Sequence, residues 1–284
     1  MLARNHIGID LGGTNIRAGI LEGNELKNIL SARLNANGNA AEILQQVYAI
    51  TDPLFDDSIL SIGIGVPGLV DHQNALVYDV VNIPAWQKVP LIEWMEERYK
   101  VPVLVNNDAN CFALGEYYTM ENSGIDSMVG LTIGTGLGSG LILHKKLYTG
   151  RNGGAGEFGM IPYLDHNYEY YASGQFFENE FQCNGLAVFE DAKQGNAIAL
   201  NRYEAFGTHL GNAIKTILFA VDVDRIVIGG SVKKAFPFFE KTMWQSLQTF
   251  PYQRALVHLK ILVSKSDHSG ILGAASLFKN FQTN

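Results

Sequence analysis

Apolar positions recur at regular intervals along most of the chain, and the interval predicts the kind of element. Short apolar or alternating runs predict strands at residues 7–9, 16–20, 58–66, 101–105, 128–133, 141–143 and 225–228. Apolar residues three and four positions apart predict helices at residues 41–50, 91–99, 201–221 and 271–281. This mixture from end to end, with no Pro-rich or Ser-rich linker, predicts an α/β fold whose domains meet at a hinge.

Glycine-rich turns join two of the predicted strand pairs. In the first, residues 9–15 (IDLGGTN), the adjacent glycines are expected to supply the positive φ angles of a tight turn. Backbone N–H groups of such a turn can reach phosphate oxygens, although an ordinary hairpin turn is the alternative. The second turn, residues 133–140 (IGTGLGSG), repeats the order of strand, turn and strand. Two such turns favour a nucleotide site and predict two related halves.

Composition narrows the class of protein. A chain of 284 residues favours two domains, and its formal charge of −7 with no basic stripe predicts no binding to nucleic acid. No apolar run reaches the roughly 18 residues of a membrane span. The first residues lead into a strand instead of a signal peptide, so we expect a cytoplasmic protein that does not bind membranes. Cys111 and Cys183 lack the spacing of a disulfide framework or a zinc site.

Seven short motifs stand in the order and approximate spacing of the ROK sugar kinases, which the chain resembles from residue 7 to residue 277. They are residues 10–14 (DLGGT), 65–68 (GVPG), 82–86 (NIPAW), 107–110 (NDAN), 134–138 (GTGLG), 156–159 (GEFG) and 228–230 (IGG). The resemblance implies a two-domain actin-like ATPase (ribonuclease H-like) fold, with ATP and sugar in a cleft between the domains. We expect an N-terminal domain of residues 1–110 with 271–284, and a C-terminal domain of residues 111–270.

The resemblance also implies which residues hold the nucleotide. They are Asp10, Gly12, Gly13, Thr14, Asn15, Gly134, Thr135, Gly136, Gly138, Gly229 and Gly230. Asp10 is expected to bind Mg²⁺ together with the ATP phosphates. For the turn after residues 225–228, simple packing of a buried strand is the alternative.

The expected sugar-binding residues lie in four of the motifs and just after them. They are Gly68, Asn82, Asn107, Asp108, Glu157 and Glu169. Asp108 is the candidate general base, because a carboxylate positioned beside the sugar hydroxyl can accept its proton during phosphoryl transfer. The alternative for Asn107 and Asp108 is that they only cap the helix at residues 109–117. Glu157 and Glu169 can each accept two hydroxyls, whereas surface glutamates are the alternative.

One loop departs from the family pattern. Many ROK kinases have a histidine after Gly-Glu-x-Gly and then a CxCGxxGC loop that binds zinc. Here Met160 occupies the histidine position, and the interval to Glu169 holds no cysteine, so His166 alone cannot complete a tetrahedral site and no zinc is expected. We expect the tyrosines of this loop to hold it by packing: Tyr163, Tyr168, Tyr170 and Tyr171.

The sequence therefore predicts an ATP- and Mg²⁺-dependent kinase for the 6-hydroxyl of a hexose or N-acetylhexosamine, acting as a homo-oligomer, a dimer. Which sugar it takes stays open, since Met160 replaces an imidazole that in the family reaches the sugar. A non-catalytic sugar-responsive regulator is one alternative, but it would lose Asp108 or a phosphate hairpin, and the family's repressors carry an added N-terminal helix-turn-helix module. A force-transmitting or chaperone-type ATPase is the other, and it would lack Glu157.

Overall fold

The computed structural model describes residues 5–71, 74, 76–78, 80–81, 83–120 and 124–281. It divides into two compact units, the first of Met1–Asp126, Gly140–Ala155 and Ser266–Asn284, the second of Ser127–Ser139 and Gly156–Lys265. The sequence-based domain limits differ from these units over residues 111–126, 140–155 and 266–270, and they stay a prediction.

The elements follow one another as a mixture of strands and helices. The strands are β1 (Asn5–Leu11), β2 (Asn15–Glu22), β3 (Glu25–Arg33), β4 (Ile59–Val66), β5 (Leu69–Asp71), β6 (Leu76–Tyr78), β7 (Lys88–Val89), β8 (Val103–Asn107), β9 (Met128–Ile133), β10 (Leu137–Leu143), β11 (Lys146–Tyr148), β12 (Pro162–Tyr163), β13 (His166–Asn167), β14 (Arg225–Gly229) and β15 (Lys260–Val263). The helices are α1 (Ala40–Thr51), α2 (Leu91–Tyr99), α3 (Asp108–Thr119), α4 (Tyr168–Ala172), α5 (Phe176–Phe181), α6 (Gly185–Lys193), α7 (Ala197–Val221), α8 (Phe236–Leu247), α9 (Gln253–His258), α10 (Ser269–Ala275) and α11 (Leu277–Phe281). Short 3-10 helices cover Asp52–Leu54, Phe158–Met160 and Ser231–Ala235.

The first unit is built on a five-stranded sheet in the order β3-β2-β1-β4-β8. β1 and β2 form an antiparallel hairpin, whereas β4 and β8 run parallel to β1. Because parallel strands end at the same edge of a sheet, the register sets Asp10 opposite Gly65 and Gly65 opposite Asn106. The carboxylate of Asp10 and the motif at residues 107–110 therefore belong to one edge of one sheet.

Glycines on one face of this sheet let α10 pack against it backbone to backbone. A Cβ on Gly63 would lie only 1.8 Å from the Ala274 carbonyl oxygen. On its other side α10 meets α3 equally closely, since a Cβ on Gly273 would lie 1.7 Å from the Cys111 carbonyl oxygen. The small residues of α10 thus give the close packing that the sequence predicts. The prediction of a single helix at residues 271–281 is wrong, because Ser276 separates α10 from α11.

In the second unit β14 pairs in parallel with β9 and with β15. β9 leads through the second glycine-rich turn into β10, whose residues from Gly140 onward belong to the first unit and pair with β11. The 25-residue α7 begins four residues before the predicted start, because the Asn196 side chain caps it by accepting from Ile198 and Ala199 N–H groups. None of the helices among the described residues has the length and apolar character to cross a bilayer.

Candidate active site

The first glycine-rich turn closes the hairpin of β1 and β2. Gly12 N–H donates to the Asn15 carbonyl at 2.9 Å, and the Thr14 carbonyl accepts from Leu34 N–H at 2.9 Å. Among the described residues, neither Gly12 nor Gly13 has a positive φ, so that expectation is wrong. Glycine serves close approach here instead, because a Cβ on Gly12 would lie 3.1 Å from the Asn15 oxygen. The exposed side chains of Thr14 and Asn15 extend the donor groups of the turn.

Asp10 is the next-to-last residue of β1 and lies against α10. A Cβ on Gly270 would lie 3.1 Å from the Asp10 carboxyl carbon, so glycine leaves room for the carboxylate. Burial raises the pKa of Asp10, and the positive charge of Arg17 on the neighbouring strand partly offsets this. The pKa of the buried Cys111 thiol is raised by burial first and then by the negative charges of Asp10 and Asp108. Both carboxylates are therefore within electrostatic reach of the same thiol.

Asn107 and Asp108 stand where β8 passes into α3. Asn107 is the cap, since its side-chain oxygen accepts from Ala109 N–H at 2.9 Å and from Asn110 N–H at 3.3 Å. Its amide group donates to the Gly68 carbonyl at 3.3 Å. Asp108 is the first residue of the helix, and one of its carboxylate oxygens accepts from Ala109 N–H at 2.8 Å.

The structure thus brings Asp10, Gly68, Asn107 and Asp108 to one edge of the sheet, and Asn107, not Asp108, is the N-cap of α3. Asn82, also predicted to bind sugar, lies outside the described residues.

In the second unit the turn between β9 and β10 is held by a neighbouring segment. Within the turn, Gly134 N–H donates to the Gly136 carbonyl at 3.0 Å. From the segment at residues 169–175, Gly174 N–H donates to the Gly134 carbonyl at 2.7 Å, and the Gln175 amide donates to the Thr135 carbonyl at 2.8 Å. The Thr132 hydroxyl donates to the Gly138 carbonyl at 3.2 Å.

Glu157 and Glu169 converge beside the start of β10. Glu169 accepts the Leu137 N–H at 2.9 Å. Glu157 follows Gly156, whose carbonyl accepts the hydroxyl of Ser139 on β10. Glu157 as a whole residue is exposed. Partial desolvation of its carboxyl group nevertheless raises its pKa, and the negative charge of Glu169 raises that pKa further. Two carboxylates of one neighbourhood are the groups that accept sugar hydroxyls.

An aromatic cluster holds the segment that carries Glu169. Tyr163 and Tyr168 stack with ring centres 4.4 Å apart, and Tyr171 meets Tyr163 edge-on at 5.6 Å. The Tyr168 hydroxyl is 2.8 Å from the Thr216 hydroxyl of α7. Tyr170 packs on Tyr171 at 4.7 Å, so the predicted packing by tyrosines is confirmed. In the part of the chain that the structure describes, no group of three or more His, Cys, Asp or Glu residues is arranged to hold a metal ion, and the zinc content stays a prediction.

Two pockets of the second unit share Gln175 as a lining residue. One, of about 420 Å³, is lined by Met160, His166, Asn167, Glu169, Tyr170 and Gln175. The other, of about 510 Å³, includes Thr135, Gly174, Gln175, Phe177, Tyr203 and Ser231 in its lining.

Sequence reasoning missed Gln175, Phe177 and Tyr203. The only signal for Gln175 is its position directly after the Ser-Gly pair that follows Glu169, whereas Phe177 and Tyr203 look like ordinary core residues in the sequence.

The turn after β14 is the last predicted nucleotide element. Gly229 lies opposite Thr132 in the pairing of β14 with β9. Gly230 has a φ of 80°, and a Cβ there would lie 2.2 Å from the Ile133 carbonyl oxygen. Only glycine combines this φ with such a close approach to β9, and the turn therefore lies beside the glycine-rich turn that begins at Gly134.

Known proteins resemble this chain over nearly its whole length. A glucokinase of Thermotoga maritima is 28% identical, with 96% of this chain and 96% of the relative aligned. An N-acetyl-D-glucosamine kinase of Haemophilus influenzae is also 28% identical, with 96% of this chain and 99% of the relative aligned. The solved structure of a ROK family glucokinase from Streptomyces griseus, in complex with glucose and AMPPNP, is 27% identical with a TM-score of 0.80, covering 96% of this chain and 98% of its own. The predicted actin-like ATPase fold is confirmed.

The family model agrees with these relatives. The model of the ROK family matches residues 6–281, which include every motif quoted from the sequence. The chain therefore belongs to the ROK family.

Proposed function

We propose that this ROK-family sugar kinase transfers the γ-phosphoryl group of ATP to the 6-hydroxyl of a hexose or N-acetylhexosamine, with Asp108 as general base. The relatives named above support an ATP-dependent sugar kinase as the enzyme class. The observation that carries the role of Asp108 is that Asn107 is the N-cap of α3, so Asp108 is not the capping residue and its carboxylate stands at the first position of the helix, beside the Asn107 that contacts Gly68.

Asp108 would accept the proton of the attacking hydroxyl as the phosphorus–oxygen bond forms. The N-terminus of α3 supports this role, because the positive end of the helix dipole stabilises a carboxylate in its first turn. The bond from Ala109 N–H fixes the orientation of the carboxylate. Phosphoryl transfer depends on in-line positioning more than on covalent chemistry, so a fixed carboxylate is the group it needs.

The sugar ring would be held by Glu157, Glu169 and Asn107, with the backbone at Gly68 nearby through its bond from Asn107. Carboxylate oxygens accept hydroxyl hydrogens, and an amide both donates and accepts. Asn82 stays a predicted sugar ligand. Met160 is exposed and lines the pocket of about 420 Å³ together with Glu169, which supports a contact between its thioether and the substrate.

The nucleotide would bind the two glycine-rich turns through its phosphates. Residues 12–15 and 134–138 supply backbone and hydroxyl donors, and the adenosine would occupy the pocket of about 510 Å³, whose lining includes Ser231 directly after Gly229 and Gly230. Asp10 fits Mg²⁺, because burial penalises its negative charge and a divalent cation removes that penalty. Bound Mg²⁺ would neutralise charge on the phosphate oxygens. The dimer and the cytoplasmic location stay predictions.

Replacing Asp108 by Asn tests the mechanism. Asn keeps the shape and the acceptor for Ala109 N–H but cannot take up the proton, so kcat is expected to fall by at least about two orders of magnitude. Sugar affinity measured by calorimetry should change much less. A kcat within about threefold of the parent would remove Asp108 from the chemistry.

A coupled ADP-release assay identifies the substrate among glucose, mannose, fructose, N-acetylglucosamine and N-acetylmannosamine. NMR of the product identifies the phosphorylated carbon. Phosphate on a carbon other than C6 would contradict the proposed acceptor. Absence of ADP release with every sugar, in protein that binds sugar, would favour the non-catalytic regulator.

A further inference from the structure

Glu169 makes a contact that sugar binding does not explain. Its carboxylate accepts the N–H of Leu137, the first residue after the glycine-rich turn at residues 134–136. The same turn receives bonds from Gly174 N–H at 2.7 Å and from the Gln175 side chain at 2.8 Å. One segment, residues 169–175, therefore bonds to the turn at Gly134 and Thr135 and to Leu137 directly after it.

We propose that Glu169 is a positioning residue for the second phosphate-binding turn, in addition to its role toward the sugar. The inference rests on the proposed function to the extent that this turn binds the phosphates of ATP. Glu169 would act through the backbone of Leu137, fixing the conformation in which the turn offers its N–H groups.

Two features of the chain favour the contact between Glu169 and Leu137. A Cβ on Gly136 would lie 2.4 Å from the Glu169 carboxylate oxygen, so any side chain there would displace the carboxylate. Glu169 stands in the first turn of α4, directly after Tyr168, which is buried and anchored to Thr216 of α7. The position of the carboxylate is thus set by the core of the second unit.

Charge and hydrogen bonding act in opposite directions at this position. A negative carboxylate beside an anion site repels phosphate and weakens nucleotide binding. A carboxylate that accepts a backbone N–H holds the turn and strengthens nucleotide binding. Glu169→Gln removes the charge and keeps an acceptor oxygen, whereas Glu169→Ala removes both, so the two variants separate the effects.

The test is calorimetric titration of Mg²⁺-AMPPNP into the full-length protein without sugar. We expect Glu169→Gln to bind as tightly as the parent or up to a few-fold tighter, since repulsion is relieved. Glu169→Ala should bind about tenfold more weakly, the effect of one lost charge-assisted bond less the relieved repulsion. Gly136→Ala should weaken binding in the same direction by displacing the carboxylate.

Glu157→Gln is the matched control. It removes a carboxylate of the same neighbourhood, and among the described residues no hydrogen bond joins Glu157 to the turn. We expect it to leave AMPPNP affinity unchanged or slightly tighter. Thermal unfolding of every variant checks the fold, and if Glu169→Ala does not fold, Glu169→Asp replaces it, because the shorter side chain keeps the charge but does not reach Leu137.

Each other outcome contradicts the proposal. Unchanged AMPPNP affinity in both Glu169 variants would mean that the residue acts on the sugar alone. Tighter binding in both variants would mean that Glu169 affects the nucleotide only through charge repulsion. Equal weakening in Gln and Ala means that the acceptor is not what matters. If the parent protein itself binds no AMPPNP, the proposed function fails together with this inference, whereas parent binding with unaltered variants overturns this inference only.

Discussion

Replacing Tyr168 tests whether aromatic packing holds the loop that carries Glu169. Tyr168 is 7% exposed, stacks on Tyr163 at 4.4 Å, and has its hydroxyl 2.8 Å from that of Thr216. Tyr168→Ala removes the ring and the hydroxyl, whereas Tyr168→Phe removes only the hydroxyl. The pair therefore separates packing from hydrogen bonding.

The contacts set the expected magnitudes. Truncating a buried aromatic side chain to Ala costs about 3–5 kcal/mol, of which stacking contributes about 0.5–1.5 kcal/mol. A hydrogen bond between hydroxyls contributes about 1 kcal/mol. The Thr216 hydroxyl can also donate to the Asn212 carbonyl at 3.4 Å, so in Tyr168→Phe this hydroxyl still has a hydrogen-bond acceptor. We expect losses in unfolding free energy of about 3–4 kcal/mol for Ala and about 1 kcal/mol for Phe.

Urea denaturation with linear extrapolation measures these losses, and sugar KM reports the position of Glu169. We expect KM to rise in Tyr168→Ala and to stay near the parent value in Tyr168→Phe. The control is Tyr252→Ala, since Tyr252 belongs to the same unit and is 66% exposed, and the loss of its edge-on contacts with Phe219 and Phe250 should cost no more than about 1.5 kcal/mol.

Two results would refute the reasoning. A loss below about 1 kcal/mol for Tyr168→Ala would mean that the ring does not hold the loop. A loss for Tyr168→Phe as large as that for Ala would assign the anchoring to the hydroxyl instead of the aromatic packing.

Three further predictions concern the fold, the substrate and the metal. Gly273→Ala should destabilise the protein by about 2 kcal/mol or more in urea denaturation, because the Cβ would overlap the Cys111 carbonyl at 1.7 Å and outweigh the helix preference of Ala of about 1 kcal/mol. Gly185→Ala, whose Cβ would lie 3.4 Å from the Phe177 ring, is the control and should cost nothing. Met160→His should change the ratio of kcat/KM between sugars by the equivalent of about 1–2 kcal/mol, at a constant KM for ATP. An equal change in kcat/KM for every sugar would argue against a role in specificity. Metal analysis should find no stoichiometric zinc, and a chelator that spares Mg²⁺ should leave turnover and Tm unchanged; about one zinc per chain would contradict this expectation.

The sequence predicts most of the buried elements of the fold and few of the peripheral ones. Strands such as β4 and helices such as α7 have strong apolar patterns, and both appear within a few residues of their predicted limits. β3 was not predicted, because its residues are mostly exposed and carry little apolar pattern. The break at Ser276 was also missed, since the apolar period continues across it and only the backbone reveals it.

For the candidate site, the motifs supply candidate residues but not the contacts that those residues make. The order of motifs predicts Asp108 and Glu169 as site residues, and the sequence left open whether Asn107 and Asp108 only cap α3. Only the side-chain geometry shows that Asn107 is the N-cap and that Asp108 is the first residue of the helix. The bond from Leu137 N–H to Glu169 joins residues 32 positions apart, and nothing in the spacing of either motif indicates it.

Aromatic anchoring determines what holds the segment that carries Glu169, the proposed sugar ligand. A zinc site closes a loop through ligands within the loop itself, so its stability follows the supply of metal. Here the anchor runs through Tyr168 to α7, and α7 packs on α8 so closely that a Cβ on Gly207 would lie 2.4 Å from the Phe239 carbonyl oxygen. The position of Glu169 is therefore tied to the core of the second unit. Sugar affinity should then be insensitive to zinc chelators.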